Sequence, residues 1–507
     1  MWTKTSCLSA AILLAAGGAQ MAHADAQLLK KTCGSCHSET DNQLSRISGQ
    51  RKSPEGWMMT IVRMQHQHGL QVSVEDRRAI VQFLADTQGL APAEAAPFRY
   101  ALEKDPNHVE TFEEPMASMC ARCHTGARVG LQRRTADEWL IHMDFHVGNY
   151  PTIEYQALGR DREWYKIARE EIAPYLAAAY PLETSEWDSW QEAEKVPVAG
   201  DWIVITELPG VGEAYGRLSV SGDASPYQVA GTLMSADGQG RSVSGTMNLY
   251  TGYEWRATLD IDGQDYRQVL AVSEDGTTLA GRQFQRDHDS LGGSLRGVRA
   301  DQPGVMLGTV PSAVPAGSAT VQVVGSGLDG LSASNGSASA NTYGAAVALE
   351  TEGNGFVTLS TDAGEAKVAY YTTIDGIAVD PAFTIARIGG GSEVGPEAVP
   401  AHFRAIGLWN GPDGAPGTED DVRIGRVNAE WTVTNLHEHA AKMEDAGYAG
   451  QIDDTGIFTP AVAGPNAERP FSTNNAGELT VVADAMGQSG SATLIVTVQR
   501  FIDPPIR

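Results

Sequence analysis

The sequence predicts a multidomain chain: an α-helical tandem unit at the N-terminus, then all-β domains, one antiparallel barrel and two Ig-like β-sandwiches. Three observations predict it. A chain of 507 residues is too long for one hydrophobic core. Two Cys-x-x-Cys-His motifs, "TCGSCHS" and "MCARCHT", are each followed by a capped helical pattern. From about Gly200 onward, short runs with alternating apolar residues are separated by Gly, Asp and Ser turns, and cysteine is absent. The 55 glycines suit such a turn-rich β architecture.

The N-terminus reads as an export signal over residues 1–24. Lys4 supplies the positive start, "CLSAAILLAAGG" the apolar stretch, and Ala22–Ala24 an A-x-A cleavage site. The mature chain is then periplasmic and begins near Asp25; an uncleaved anchor is the alternative. No other stretch approaches the ~20 apolar residues of a spanning helix. A formal charge of −26 argues against nucleic acid or anionic lipid as a partner and serves solubility. With Cys7 in the signal, all four remaining cysteines belong to the two motifs, so no disulfide framework is expected.

Cys-x-x-Cys-His is the attachment pattern of c-type haem. Each thiol adds to a haem vinyl group, and the adjacent histidine reaches the iron. Cys33 and Cys36 then anchor one haem with His37 as proximal ligand, and Cys120 and Cys123 a second with His124. The competing readings are a redox-active cysteine pair and a four-cysteine zinc site. Redox folds rarely place histidine after both pairs, and the separation is long for a zinc ribbon.

A local repeat points to the sixth ligands. In "SPEGWMMTIVRM", Ser53 caps a helix, Pro54 suits its first position and Trp57 follows; in "TADEWLIHMDFH", Thr135 and Glu138 form a capping box and Trp139 follows. Seven residues after each tryptophan, two helical turns along the same face, stand Met64 and His146. The alternative is that Met58, Met59 and Met64 are core methionines, and His66, His68, His142 and Met143 are rival ligands. Closing helices are expected in "SVEDRRAIVQFLADT" and "REWYKIAREEIAPYLAAAYP", which completes two cytochrome c units over 25–182.

Seven runs from "DWIVITEL" to "LAGRQFQRD" predict a lipocalin-like antiparallel β-barrel over 196–303, introduced by Gly200-Asp201-Trp202 and more readily a filled barrel than a ligand-binding one. Residues 304–394 and 395–507 read as Ig-like β-sandwiches bounded by "RADQPG" and "GGGSEVGPEAVP". The acidic stretch 412–421 does not have the spacing of an EF-hand loop and reads as solvated, with calcium the alternative. No catalytic triad, phosphate loop or histidine cluster suggests independent chemistry in this half.

With "SPEGWMMTIVRMQHQHGL" and "DEWLIHMDFHVGNYPTIEYQALGRDREWY" ahead of a cysteine-free β tail, the whole chain resembles the diheme alpha subunit of quinohemoprotein amine dehydrogenases. The resemblance implies an electron-transfer subunit without a catalytic residue of its own, in a heterotrimer. Primary amines are oxidised to aldehyde and ammonia at a cysteine tryptophylquinone on a separate small subunit, and a β-propeller subunit completes the complex. The carry-over reaches Cys33, Cys36, His37, Cys120, Cys123, His124, Met64 and His146. Methionine ligation raises a haem's potential relative to histidine. Electrons are therefore expected to enter at His124/His146 and leave at His37/Met64, toward an azurin-like copper protein or a soluble cytochrome c. The rivals are a diheme cytochrome c peroxidase-like enzyme and a partner-binding scaffold.

Overall fold

The computed structural model describes residues 26–155, 160–362, 364–391 and 396–499, so the expected export signal lies outside the described residues. A helical N-terminal region is followed by mostly β structure that includes a closed eight-stranded barrel.

The helical region opens with α1 over 26–33. The short strands β1 (Glu39–Thr40) and β2 (Gln43–Leu44), then β3 (Gln50–Lys52), lead into α2 (Pro54–His68) and α3 (Val74–Gln88). The turns α4 (Pro92–Ala95), α5 (Arg99–Leu102) and α6 (Ala127–Gly130) precede β4 (Gln132–Arg134) and α7 (Ala136–Asn149). A further helix runs from α8 (Trp164–Ile167) through a π turn (Ala168–Ile172) into α9 (Ala173–Ala179), and α10 (Ser185–Glu192) ends the region. The π turn precedes Pro174, which has no N–H for the helical ladder.

Two segments of the helical region make matching contacts. β3 and β4 pair antiparallel with Arg51 opposite Arg133. Ser53 Oγ accepts from the Gly56 N–H ahead of α2, and Thr135 Oγ1 from the Glu138 N–H ahead of α7. Both indoles are buried, and each donates to the end of its closing helix: Trp57 Nε1 to Gln88 O at 3.0 Å, Trp139 Nε1 to Tyr180 O at 3.0 Å. One detail differs from the expected capping box. The Glu138 carboxylate meets Gln50, Arg46 and Arg134, and the Thr135 N–H donates to Gly49 O instead. Guanidinium groups compete more strongly for a carboxylate than one backbone amide does.

β5 (Gly200–Leu208), β6 (Gly212–Ser221), β7 (Tyr227–Ser235), β8 (Gly240–Tyr250), β9 (Glu254–Ile261), β10 (Gln264–Val272), β11 (Thr278–Gln285) and β12 (Gly292–Arg299) form an up-and-down barrel closed by β12 against β5. The eighth strand, "GGSLRGVR", is absent from the seven runs legible in sequence, because its glycines carry no apolar alternation. Closeness requires those glycines: a Cβ on Gly292 would stand 2.3 Å from Gln283 O. The interior is filled by Trp202, Trp255, Met247 and aliphatic side chains. At one point it is polar and satisfied: Trp255 Nε1 donates to Gln268, Gln268 to Gln283, and Gln283 to Thr206.

Two four-stranded sheets follow, and their shared core includes Val323, Val347 and Val357. The last unit begins earlier than the expected boundary at 394. The strands Gly376–Asp380 and Phe383–Arg387 pair with Arg404–Trp409 and Gln488–Thr497, so they belong to it. "GGGSEVGPEAVP" has linker composition, yet it lies between strands of one unit rather than between two units.

The helical region rests on the barrel's outer face through Leu90, Trp187 and Trp190 against Tyr253, Val269 and Phe284. Glu55 at the start of α2 accepts from Arg256 at 2.6 Å across the same junction.

Inside the helical region, Arg51 grips both oxygens of Glu94 at 2.8 and 2.9 Å, and Arg133 reaches Glu94 at 3.1 Å. Burial pushes the Glu94 carboxyl up, but Arg51 and Arg133 more than offset it, and its pKa is lowered. A depressed carboxylate pKa contributes stability that is present above the unfolded value, near 4.3, and lost as pH falls through the folded value. Glu94→Gln is expected to cost about 3–5 kcal/mol, because it leaves two buried guanidinium groups short of charge. Chemical denaturation at pH 7 measures the loss, and the difference between variant and wild type should shrink toward pH 3.

Candidate functional site

Each cysteine motif forms a single turn. The N–H groups of Cys36 and His37 donate to Cys33 O at 3.1 and 3.0 Å, and Cys123 N–H to Cys120 O at 3.2 Å. The turn puts both thiols of a pair on one face, with the histidine beside them. His37 Nδ1 lies 2.8 Å from Ser45 O, and His124 Nδ1 lies 2.8 Å from Thr125 O. A carbonyl only accepts, so each Nδ1 carries the proton and each Nε2 keeps its lone pair, the tautomer a metal-ligating histidine needs.

The second motif opens on a cavity of about 500 Å³, within the ~300–1,000 Å³ range of cofactor sites. Cys120, Cys123 and His124 line one part of it, and His142, Met143 and His146 from α7 another. Met119, Trp139, Ile172 and Leu176 supply apolar wall. His146 Nδ1 lies 2.8 Å from His142 O, so this ring too is held with Nε2 free. Burial first, with a smaller contribution from the nearby His124 ring, holds the His146 imidazole down to about 4, so the ring is neutral at pH 7. Of the rivals on α7, half-buried His142 lines the same cavity and stacks on Phe145 at 5.6 Å, whereas Met143 is buried and also packs into the surrounding core.

The first motif is more open. Cys36 is exposed, and Cys33 packs against the cluster of Leu29, Leu44, Ile47, Trp57 and Ile61. On α2, Trp57 and Ile61 are buried, and half-buried Met64 continues their face. Met58 joins that core cluster, Met59 faces the second cavity, and His66 and His68 are exposed.

The thiols do not suit a redox-active pair, which works as low-pKa thiolate. Burial raises Cys33 and Cys123, and pushes Cys120 up to about 12. Among the described residues no three His, Cys, Asp or Glu side chains gather around a common point, so the two pairs do not build one zinc site.

Sequence reading missed the cations at this cavity: Lys52, Arg63, Arg128 and Arg134 line it. A signal was present, because Gln50-Arg51-Lys52-Ser53 recurs as Gln132-Arg133-Arg134-Thr135.

Comparison with known families adds to this geometry. Residues 23–187 match the family model "Quinohemoprotein amine dehydrogenase A, alpha subunit, haem binding". Residues 195–300 match the model of domain II of the same subunit, and residues 377–506 that of its domain IV. No protein in a search of curated sequences matches. Among solved structures, a de novo designed fluorescence-activating β-barrel aligns at 20% identity over 20% of this chain and 92% of its own, TM-score 0.17. A titin tandem Ig pair aligns at 14% identity over 38% and 93%, TM-score 0.16. Extracellular domains 3–5 of Drosophila OTK align at 8% identity over 60% and 89%, TM-score 0.14.

The helical region and its cysteine–histidine site thus define a haem-binding oxidoreductase chain. More narrowly, the chain belongs to the quinohemoprotein amine dehydrogenase alpha-subunit family, and so to a multi-subunit enzyme. No helix among the described residues is long and apolar enough to cross a membrane.

If the two tryptophans are equivalent, their losses should match. Trp57→Phe and Trp139→Phe each remove an indole donor from a helix-end carbonyl, and each is expected to cost about 1–3 kcal/mol. Denaturant titration of both variants checks this; a cost confined to one of them would break the equivalence.

Proposed function

We propose that this chain is the diheme electron-transfer subunit of a periplasmic amine dehydrogenase. Two covalent haems would be held, one by Cys33 and Cys36 with His37 and Met64 as iron ligands, the other by Cys120 and Cys123 with His124 and His146. The observation that carries the reading is the pair of motif histidines, each held through Nδ1 to a backbone carbonyl beside its two cysteines. Haem iron, when bound, supplies one-electron redox chemistry. The protein's part is to orient the imidazoles, keep His146 neutral and exclude water around the second site.

Helix α2 supports a relay between the sites. Met59 and Arg63 face the second cavity, while Trp57, Ile61 and Met64 form the opposite, first-site face. Histidine–histidine ligation favours a lower potential than histidine–methionine ligation. The enclosed second site therefore receives electrons, and the more exposed first site passes them on. Following the family resemblance, the donor is a cysteine tryptophylquinone on a small partner subunit, a β-propeller subunit completes the heterotrimer, and an azurin-like copper protein or soluble cytochrome c is the acceptor. The domain division we favour is a tandem cytochrome c unit, a lipocalin-like barrel and two Ig-like β-sandwiches.

Oxidising an amine requires an electrophile for its nitrogen, and a haem with both axial positions filled offers none. The purified chain with both haems attached is expected to stay oxidised when a primary amine is added. With the quinone-bearing subunit present, both haems should become reduced. Reduction of the isolated chain by amine alone would place the catalytic centre here and overturn the relay.

The ligand assignment has its own test. Met64→Ala should abolish the near-infrared methionine–iron charge-transfer band, and His146→Ala should make the other haem high-spin. Both variants should retain two haems by mass. A band that survives Met64→Ala would assign the ligand to another methionine.

A further inference from the structure

We propose that Lys52, Arg63 and Arg134 hold the two propionate carboxylates of the haem attached at Cys120 and Cys123. The inference rests on the haem assignment above and extends it to the edge of the macrocycle away from the thioether bonds.

The cavity carries cations in excess of its carboxylates. Lys52 and Arg134 are each 4% exposed. Lys52 Nζ donates to Thr60 Oγ1 at 2.9 Å and lies 5.0 Å from the centre of the Trp57 ring. Arg63 donates to the same Thr60 Oγ1 at 3.3 Å and stacks 5.0 Å from the Phe145 ring. Neither cation forms an ion pair among the described residues. Arg134 meets Glu138 only at 3.7 Å, and Glu138 is already taken by Arg46 at 2.8 Å and Gln50 at 2.9 Å. The carboxylate that lines the cavity, Glu55, is committed to Arg256.

Burying a cation without a counter-charge costs several kcal/mol. The strain is visible at Lys52, whose ammonium is pushed well below its ordinary pKa, by burial first and then by Arg134 and Arg63. Burial also lowers Arg134 to about 9. Three such groups lining one cavity favour an anionic ligand there.

The three cations line the same cavity as the attachment cysteines and His124. The wall is otherwise rich in apolar side chains, among them Met119, Trp139, Met143, Trp164 and Leu176. A haem presents that combination. Its vinyl side is apolar and becomes bonded to the cysteines, and its opposite side carries two carboxylates. Guanidinium and ammonium groups pair with carboxylates through short, charge-assisted hydrogen bonds.

The test uses the exported chain with both haems attached. Arg63→Met, Arg63→Lys and Lys52→Met are compared by haem mass count, spectroelectrochemistry and resonance Raman of the propionate bending mode. A cation beside the haem favours the reduced state. Each methionine variant is therefore expected to lower the reduced-to-oxidised ratio of the histidine–histidine haem about tenfold at fixed potential, 59 mV for one electron. The propionate bending mode should shift with it. Arg63→Lys should keep the wild-type ratio, and the other haem should stay within about twofold. If both methionine variants carry two haems and leave the ratio and the Raman mode unchanged, the propionates lie elsewhere. Equal shifts at both haems would also overturn the proposal. A wild-type chain carrying one haem would instead defeat the haem assignment itself.

Discussion

The buried carboxylate of Glu94 is the interaction on which the helical region depends. It draws Arg51 from the first half of the repeat and Arg133 from the second onto one anion, and accepts from the Ala91 N–H at the start of α4. Because Arg51 and Arg133 sit opposite each other on β3 and β4, Glu94 fixes the register of that two-strand ribbon. The ribbon fixes the starts of α2 and α7, since Ser53 follows Lys52 and Thr135 follows Arg134. Those helices carry the residues that face both sites. One ion network thus sets the relative position of two sites far apart in sequence.

The two sites are unlike for physical reasons. The second is the more enclosed: α7, α8 and α9 wall it, Trp164 donates to Met119 O at 3.1 Å, and Glu110 accepts from Gly126 N–H just after the motif. Its low polarity keeps His146 neutral and makes unpaired cations costly. The first has an exposed Cys36 and half-buried His37 and Met64. An electron carrier gains from that asymmetry, because an enclosed site holds its ligands in place while an exposed one brings the redox group near an external partner.

The β half serves as a platform. The barrel's inside is occupied by its own side chains, and its outside carries the helical region through an apolar contact and the Glu55–Arg256 pair. On another part of the barrel, Glu207 accepts from Arg404 and Arg426 of the last unit at 2.7 and 3.0 Å, and Ser290 donates to Pro400 O. These pairs are partly buried, so they fix orientation more than they add stability.

What the sequence determined by itself is local. Covalent attachment needs Cys-x-x-Cys-His within one turn, so the motif carries its own geometry. Caps at Ser53, Ser73 and Thr135 mark helix starts because a hydroxyl must satisfy amides within three residues. Seven barrel strands were legible through period-two alternation, and "GGSLRGVR" was not, because glycine leaves no pattern to read. The tertiary structure decided what depends on distant partners. It drew Glu138 away from its own helix cap, moved Gly376–Asp380 and Phe383–Arg387 into the last unit, and gathered Lys52, Arg63 and Arg134 on one wall. Charge is read along a chain as composition, but its cost is set by burial and by the counter-charges within reach, and only the folded chain supplies those.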